Sequence, residues 1–127
     1  MTKLEKFSLQ NRMHSFLNAF RGIRVMVVTQ HNAWLHALAT LIVCAAGVVF
    51  GITKVEWCCL VFCFVAVWTT EAINTALELL TDLVSPEFHP MAGKAKDVAA
   101  GAVLIAAIGS AIIGAIVFVP YLWLMIT

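Results

Sequence analysis

The chain has 127 residues, 62% of them hydrophobic and 12% charged, with a formal net charge of +1 and a mean hydropathy of +0.96. A single soluble domain of this size cannot hide so much apolar surface, because small domains bury only a modest share of their area. The net charge says nothing about nucleic acid, but there is no basic cluster to bind it; the composition is that of an all-α integral membrane protein of one domain, residues 1–127.

Residues 1–30 are amphipathic rather than spanning. Met13, Phe16, Leu17 and Phe20 recur at i, i+3, i+4 and i+7, Ile23 and Val27 continue the face, and Lys3, Lys6, Arg12, Arg21 and Arg24 supply positive charge. This pattern suits a helix lying in the interface of an anionic leaflet. No uninterrupted apolar run resembles a signal peptide here.

Ala33 to Ile52 is the first expected span, apolar apart from His36, Thr40 and its glycines. His36, near its start, reads as an interfacial hydrogen-bonding group. Gly51-Ile52-Thr53-Lys54 is a short turn. Residues 55–84 form the second span, about 45 Å if fully helical, which is longer than a hydrocarbon core of about 30 Å. Its end should project into water.

That end carries Glu71, Asn74, Glu78 and Asp82. At about 100° per residue they fall at roughly 0°, 300°, 340° and 20°, one narrow stripe. A helix entering the hydrocarbon near Val55 leaves it near Thr75, so the stripe should straddle the membrane–water boundary, with Glu71 at lipid depth and Glu78 and Asp82 beyond. Three carboxylates on one stripe need cations, and ionisable residues at this depth usually face a bundle interior or wet cavity. The stripe is the candidate site.

Ser85-Pro86-Glu87-Phe88-His89-Pro90 breaks the helix, and Pro90 can open the next one. Lys94 and Lys96 in its first turns oppose the helix dipole unless an anion such as phosphate binds there. Residues 98–119 form the third span. Its Ala102, Ala106, Ser110 and Gly114, spaced by four, read as a packing seam. Trp57, Tyr121 and Trp123 fit one aromatic belt and Trp34 the opposite one. Cys44, Cys58, Cys59 and Cys63 lie in apolar runs without His or acidic partners at metal spacing, and read as small buried hydrophobes. Of the eight Lys and Arg, only Lys54 lies in the first loop. The N-terminus and the stripe are therefore expected on the cytoplasmic side. No glycine-rich phosphate loop is present, so any phosphate chemistry must use the carboxylates and lysines.

The run Glu71-Ala-Ile-Asn74-Thr-Ala-Leu-Glu78-Leu-Leu-Thr-Asp82, with Glu87-Phe-His89-Pro and Gly93-Lys-Ala-Lys96-Asp97 after it, resembles the bacterial integral-membrane diacylglycerol kinase family. The His-Pro loop is most similar to its undecaprenol kinase branch. The resemblance runs from about Arg12 to Pro120. It implies a homotrimer of three-span subunits in the bacterial cytoplasmic membrane, each with an amphipathic surface helix. It also implies transfer of the ATP γ-phosphate to a lipid hydroxyl with Mg2+. By matching position, Glu71 would be the general base and Glu78 a metal ligand, while Arg12, Asn74, Asp82, Glu87, His89, Lys96 and Asp97 would contact nucleotide.

Two positions depart from the pattern. Gln30, in Thr29-Gln30-His31-Asn32-Ala33-Trp34-Leu35-His36, stands where the family usually has a metal-binding Glu. It offers a carbonyl oxygen without charge, and magnesium prefers carboxylate and phosphate oxygens. Asn18 replaces an aromatic often present there. The alternatives are an impaired relative that binds nucleotide or lipid without efficient turnover, and a small transport or channel subunit. The last fits poorly, because a channel spreads polar residues along a span and here they bunch at one end.

Overall fold

The computed structural model describes residues 7–127, which leaves Lys3 and Lys6 outside the described residues. Four helices follow one another: α1 Leu9–Thr29, α2 His31–Phe50, α3 Lys54–Val84 and α4 Pro90–Ile126. The last three are long and apolar enough to cross a membrane, and the described chain is all-α, with no strand.

Each junction has a local cause. Gln30 is extended (φ −104°, ψ 116°) and ends α1 while starting α2. The indole N–H of Trp34 donates to the Val27 carbonyl at 2.9 Å, which pins this corner. Between α2 and α3, Gly51 takes a left-handed conformation (φ 61°), and Ile52 N–H donates to the Gly47 carbonyl at 3.1 Å. That is a Schellman stop, and glycine adopts it without a Cβ penalty. Thr53 and Glu56 then close a reciprocal capping box that starts α3. Between α3 and α4, His89 caps the new helix: its Nδ1 accepts from Met91 N–H at 3.1 Å, with Pro90 at the first helical position.

The expected first and second spans, 33–52 and 55–84, lie within about two residues of α2 and α3. The third expected span, 98–119, lies inside α4, a helix of 37 residues that runs from Pro90 through Lys94, Lys96 and Pro120 to Ile126. Proline removes one hydrogen bond and crowds the carbonyl four residues back, but the apolar run beyond it still needs intrahelical bonds in a membrane. Tyr121 then anchors that last turn, donating its hydroxyl to Glu56 Oε2 at 2.7 Å.

α3 and α4 share the most extensive contact, and α2 packs on α3. The main apolar cluster is Ile52, Leu60 and Val117, backed by Phe50, Trp57, Phe64 and Phe118. It lies toward the end of the bundle that holds the α2–α3 turn. Gly47 admits the Trp57 ring, since a Cβ there would stand 2.7 Å from it. The apolar face of α1, Met13, Phe16, Leu17, Phe20 and Ile23, is exposed, as suits a helix covered by lipid rather than by protein. Of the four cysteines only Cys63 is buried; Cys44 is half-buried, and Cys58 and Cys59 are exposed on α3, so the buried reading fails for that pair. They occupy a face of α3 that other helices leave uncovered.

Candidate active site

At the other end of the bundle α3 buries three polar residues: Glu71 at 0% exposure and Asn74 and Thr75 at 4% each. Thr75 is satisfied within its own helix, where its hydroxyl donates to the Glu71 carbonyl at 2.8 Å. Glu71 looks outward from α3 instead. Its Oε2 lies 3.3 Å from Nε2 of His36 on α2. Its Oε1 is buried and has no hydrogen-bond partner among the described residues.

About two turns along from Glu71, Glu78 is held by two amides. Asn74 Nδ2 donates to Oε1 at 3.1 Å, and Gln30 Nε2 donates to Oε2 at 3.3 Å. The second bond spans 48 residues of sequence. It exists because the α1–α2 corner points the Gln30 side chain at α3. Asn74 Oδ1, like Glu71 Oε1, is buried without a partner among the described residues. Buried polar atoms are normally satisfied, so two orphan acceptors on one stripe mark a place for a donor or a cation. One turn beyond Glu78, the Lys96 ammonium from α4 pairs with the Asp82 carboxylate. Both are well exposed, so the pair contributes little stability. It does bring a positive charge from α4 to the Asp82 end of the stripe.

The fold thus gathers Gln30, Glu71, Asn74 and Glu78, with Asp82 and Lys96 at the margin. It does not gather the other residues singled out in the sequence. Arg12 is exposed, with its guanidinium over the Phe7 ring at 5.4 Å. Glu87 and Asp97 are exposed and make no side-chain hydrogen bond or ion pair among the described residues. His89 spends Nδ1 on the α4 cap and lines a separate apolar groove of about 580 Å³ with Leu77, Leu80, Val84 and Met91. Those α3 residues lie roughly opposite the stripe on the helix.

His36 is the residue that sequence reasoning missed. Its position in the run from Thr29 to His36 was the available signal, but a lone histidine near a span's start looked interfacial. The histidine also lines a groove of about 360 Å³ between α2, α3 and α4, together with Thr40, Val43, Phe64, Ser110 and Phe118.

Among the described residues no three His, Cys, Asp or Glu side chains come together to hold a metal. The described residues thus form no zinc-type cage of protein ligands. Magnesium asks less of a protein, since it keeps waters and is bound through one or two carboxylates plus substrate phosphates. For such an ion Glu78 would supply the carboxylate, Asn74 Oδ1 an unused oxygen, and Gln30 a carbonyl oxygen with its amide turned over.

The family model described as prokaryotic diacylglycerol kinase matches residues 17–118. An undecaprenol kinase of Bacillus subtilis is 36% identical over 121 residues, covering 95% of this chain and 98% of that protein. A diacylglycerol kinase of Synechocystis is 35% identical over 111 residues, covering 87% of this chain and 63% of that protein. The diacylglycerol kinase of Escherichia coli K12 is 26% identical over 90 residues, covering 71% of this chain and 74% of that one.

Proposed function

The chain belongs to the prokaryotic diacylglycerol kinase family and is a lipid kinase; on that footing we propose that it transfers the γ-phosphate of ATP to the hydroxyl of undecaprenol or diacylglycerol at the cytoplasmic membrane interface. The observation that carries this reading is the pairing on one helix stripe of two differently held carboxylates. Glu71 is wholly buried with one oxygen free, and Glu78 has an amide on each oxygen.

In this mechanism the lipid hydroxyl donates to Glu71 Oε1. As the hydroxyl oxygen bonds to the γ-phosphorus, Glu71 takes its proton. The bond from the γ-phosphorus to the bridging oxygen breaks, and ADP leaves with the electron pair. Positioning and charge neutralisation do most of the work in such transfers. Glu78, with Gln30 and Asn74, would hold a magnesium ion, which would supply charge neutralisation to the phosphates. Lys96 stands by to meet a phosphate once Asp82 releases it. Asn74 and Asp82 complete the nucleotide side; for Glu87, His89, Asp97 and Arg12, which the fold does not bring to the stripe, a nucleotide contact rests on the family resemblance alone. At about 1.5 Å per residue, Glu71 and Glu78 are separated by about 10 Å along α3, which suits a lipid hydroxyl meeting a polyphosphate.

The distribution of basic residues supports a cytoplasmic N-terminus, and the family resemblance supports a homotrimer in the bacterial cytoplasmic membrane. Gln30 favours a second reading, an impaired relative that binds nucleotide or lipid without efficient turnover, because its amide leaves the site one negative charge short. Labelled ATP, magnesium and detergent-solubilised protein, with each lipid offered separately, test the proposal. Transfer of label to either lipid supports it. Nucleotide binding without transfer to any lipid alcohol overturns it in favour of the second reading.

A further inference from the structure

We propose that His36 is a positioning residue for Glu71, orienting the carboxylate so that a single oxygen, Oε1, faces the incoming hydroxyl. The proposal rests on the reading of Glu71 as proton acceptor.

Glu71 is enclosed completely, and His36 Nε2, 3.3 Å from Oε2, is its one side-chain partner among the described residues. A carboxylate only accepts hydrogen bonds. With Glu71 ionised, the imidazole must therefore carry its proton on Nε2. That bond engages Oε2 and stops the carboxylate from rotating freely about its last torsion. Oε1, the orphan, remains as the oxygen able to accept from a hydroxyl. Without the histidine, both oxygens would lack donors in a buried place, a costly arrangement that water or a rotated side chain would relieve.

The imidazole is itself held. Its ring packs edge-to-face on Trp68 of α3, with centroids 6.2 Å apart and planes at 69°. Trp68 is fixed in turn: its indole N–H donates to Thr40 Oγ1 at 3.2 Å, and the Thr40 hydroxyl donates to the His36 carbonyl at 2.7 Å. The two helices are thus joined twice within one turn, by His36 to Glu71 and by Thr40 to Trp68. Such a shell around a reactive carboxylate is what precise orientation requires. His36 also has a side none of the other partners shares. At 17% exposure it lines the groove between α2, α3 and α4, so it touches both that groove and Glu71. The other residues lining the groove form no hydrogen bond with the Glu71 side chain.

The test uses the detergent-solubilised full chain. His36→Phe keeps bulk and aromatic packing but removes the donor. It should lower kcat for lipid phosphorylation about 100-fold, the scale of a misplaced reacting group. The KM for lipid and the equilibrium affinity for a non-hydrolysable ATP analogue with magnesium should not change. His36→Gln, whose terminal amide N–H can reach Oε2, should recover most of the rate. Trp68→Phe, which loses the bond to Thr40 and part of the ring that packs on His36, should also lower kcat without moving nucleotide affinity. Unchanged kcat in His36→Phe, a loss confined to KM, or a His36→Gln as slow as His36→Phe would overturn the proposal. If His36→Phe does not fold, the other two variants decide by the same criteria. Failure of the underlying reading has a separate signature, since Glu71→Gln would then retain full lipid phosphorylation.

Discussion

Gln30→Glu places a second carboxylate against Glu78. The wild-type amide donates to Glu78 Oε2 at 3.3 Å; the substituted side chain has no donor and carries a negative charge. Two effects of opposite sign follow. Without a cation, one hydrogen bond is lost, and two like charges about 4 Å apart repel by about 4 kcal/mol at an effective dielectric of about 20. Side-chain rotation and solvent would relieve part of that. With magnesium, the same charge attracts a divalent ion by several kcal/mol, of order, before desolvation is subtracted. A net gain of only about 1.4 kcal/mol is tenfold in affinity. The variant should therefore melt at a lower temperature than the wild type in EDTA, and magnesium should close the gap. In a magnesium titration of lipid phosphorylation at fixed ATP, its half-maximal concentration should fall about tenfold, and its choice between lipids should stay the same. Superimposable titrations, with equal melting in EDTA, would show that Gln30 does not face the metal. Loss of activity at every magnesium concentration would show a site adapted to a neutral side chain, and the assignment at Gln30 would be wrong.

Glu71→Gln should abolish phosphoryl transfer while leaving nucleotide affinity nearly intact, whereas Glu78→Gln should weaken both; equal loss of affinity in the two variants would refute this division of roles. In a background lacking Cys44, Cys58, Cys59 and Cys63, a cysteine introduced by Lys54→Cys should react with an impermeant thiol reagent from the outer face; labelling from the cytoplasmic face alone would invert the topology. Gly47→Ala should lower thermal stability by about 1–3 kcal/mol, because the new methyl meets the Trp57 ring and the close packing of α2 on α3 must open. Tyr121→Phe should cost about 1 kcal/mol through the lost bond to Glu56, read as a lower melting temperature with unchanged kcat.

The spans and the polar stripe were legible in the sequence because they depend on local periodicity. An apolar run of membrane length declares itself by composition, and Glu71, Asn74, Glu78 and Asp82 share a face wherever residues 71–82 are helical. The Gly51–Lys54 turn and Pro90 likewise mark ends through chemistry confined to a few residues. The reach of α4 past Pro120 was not legible, since whether a proline stops a helix depends on what its far side can pack against, here Glu56. Nor were the partners of the stripe. Gln30 reaches Glu78 across 48 residues and His36 reaches Glu71 across 35. Which of the side chains near the start of α2 meets α3 depends on the bend at Gln30 and on the azimuth at which α2 packs, and a rotation of one residue, about 100°, would substitute a neighbour. Hydrophobic periodicity determines which face of a helix is buried. Only the packed bundle decides which donor sits opposite each carboxylate, because that depends on the relative rotation and height of helices far apart in the chain.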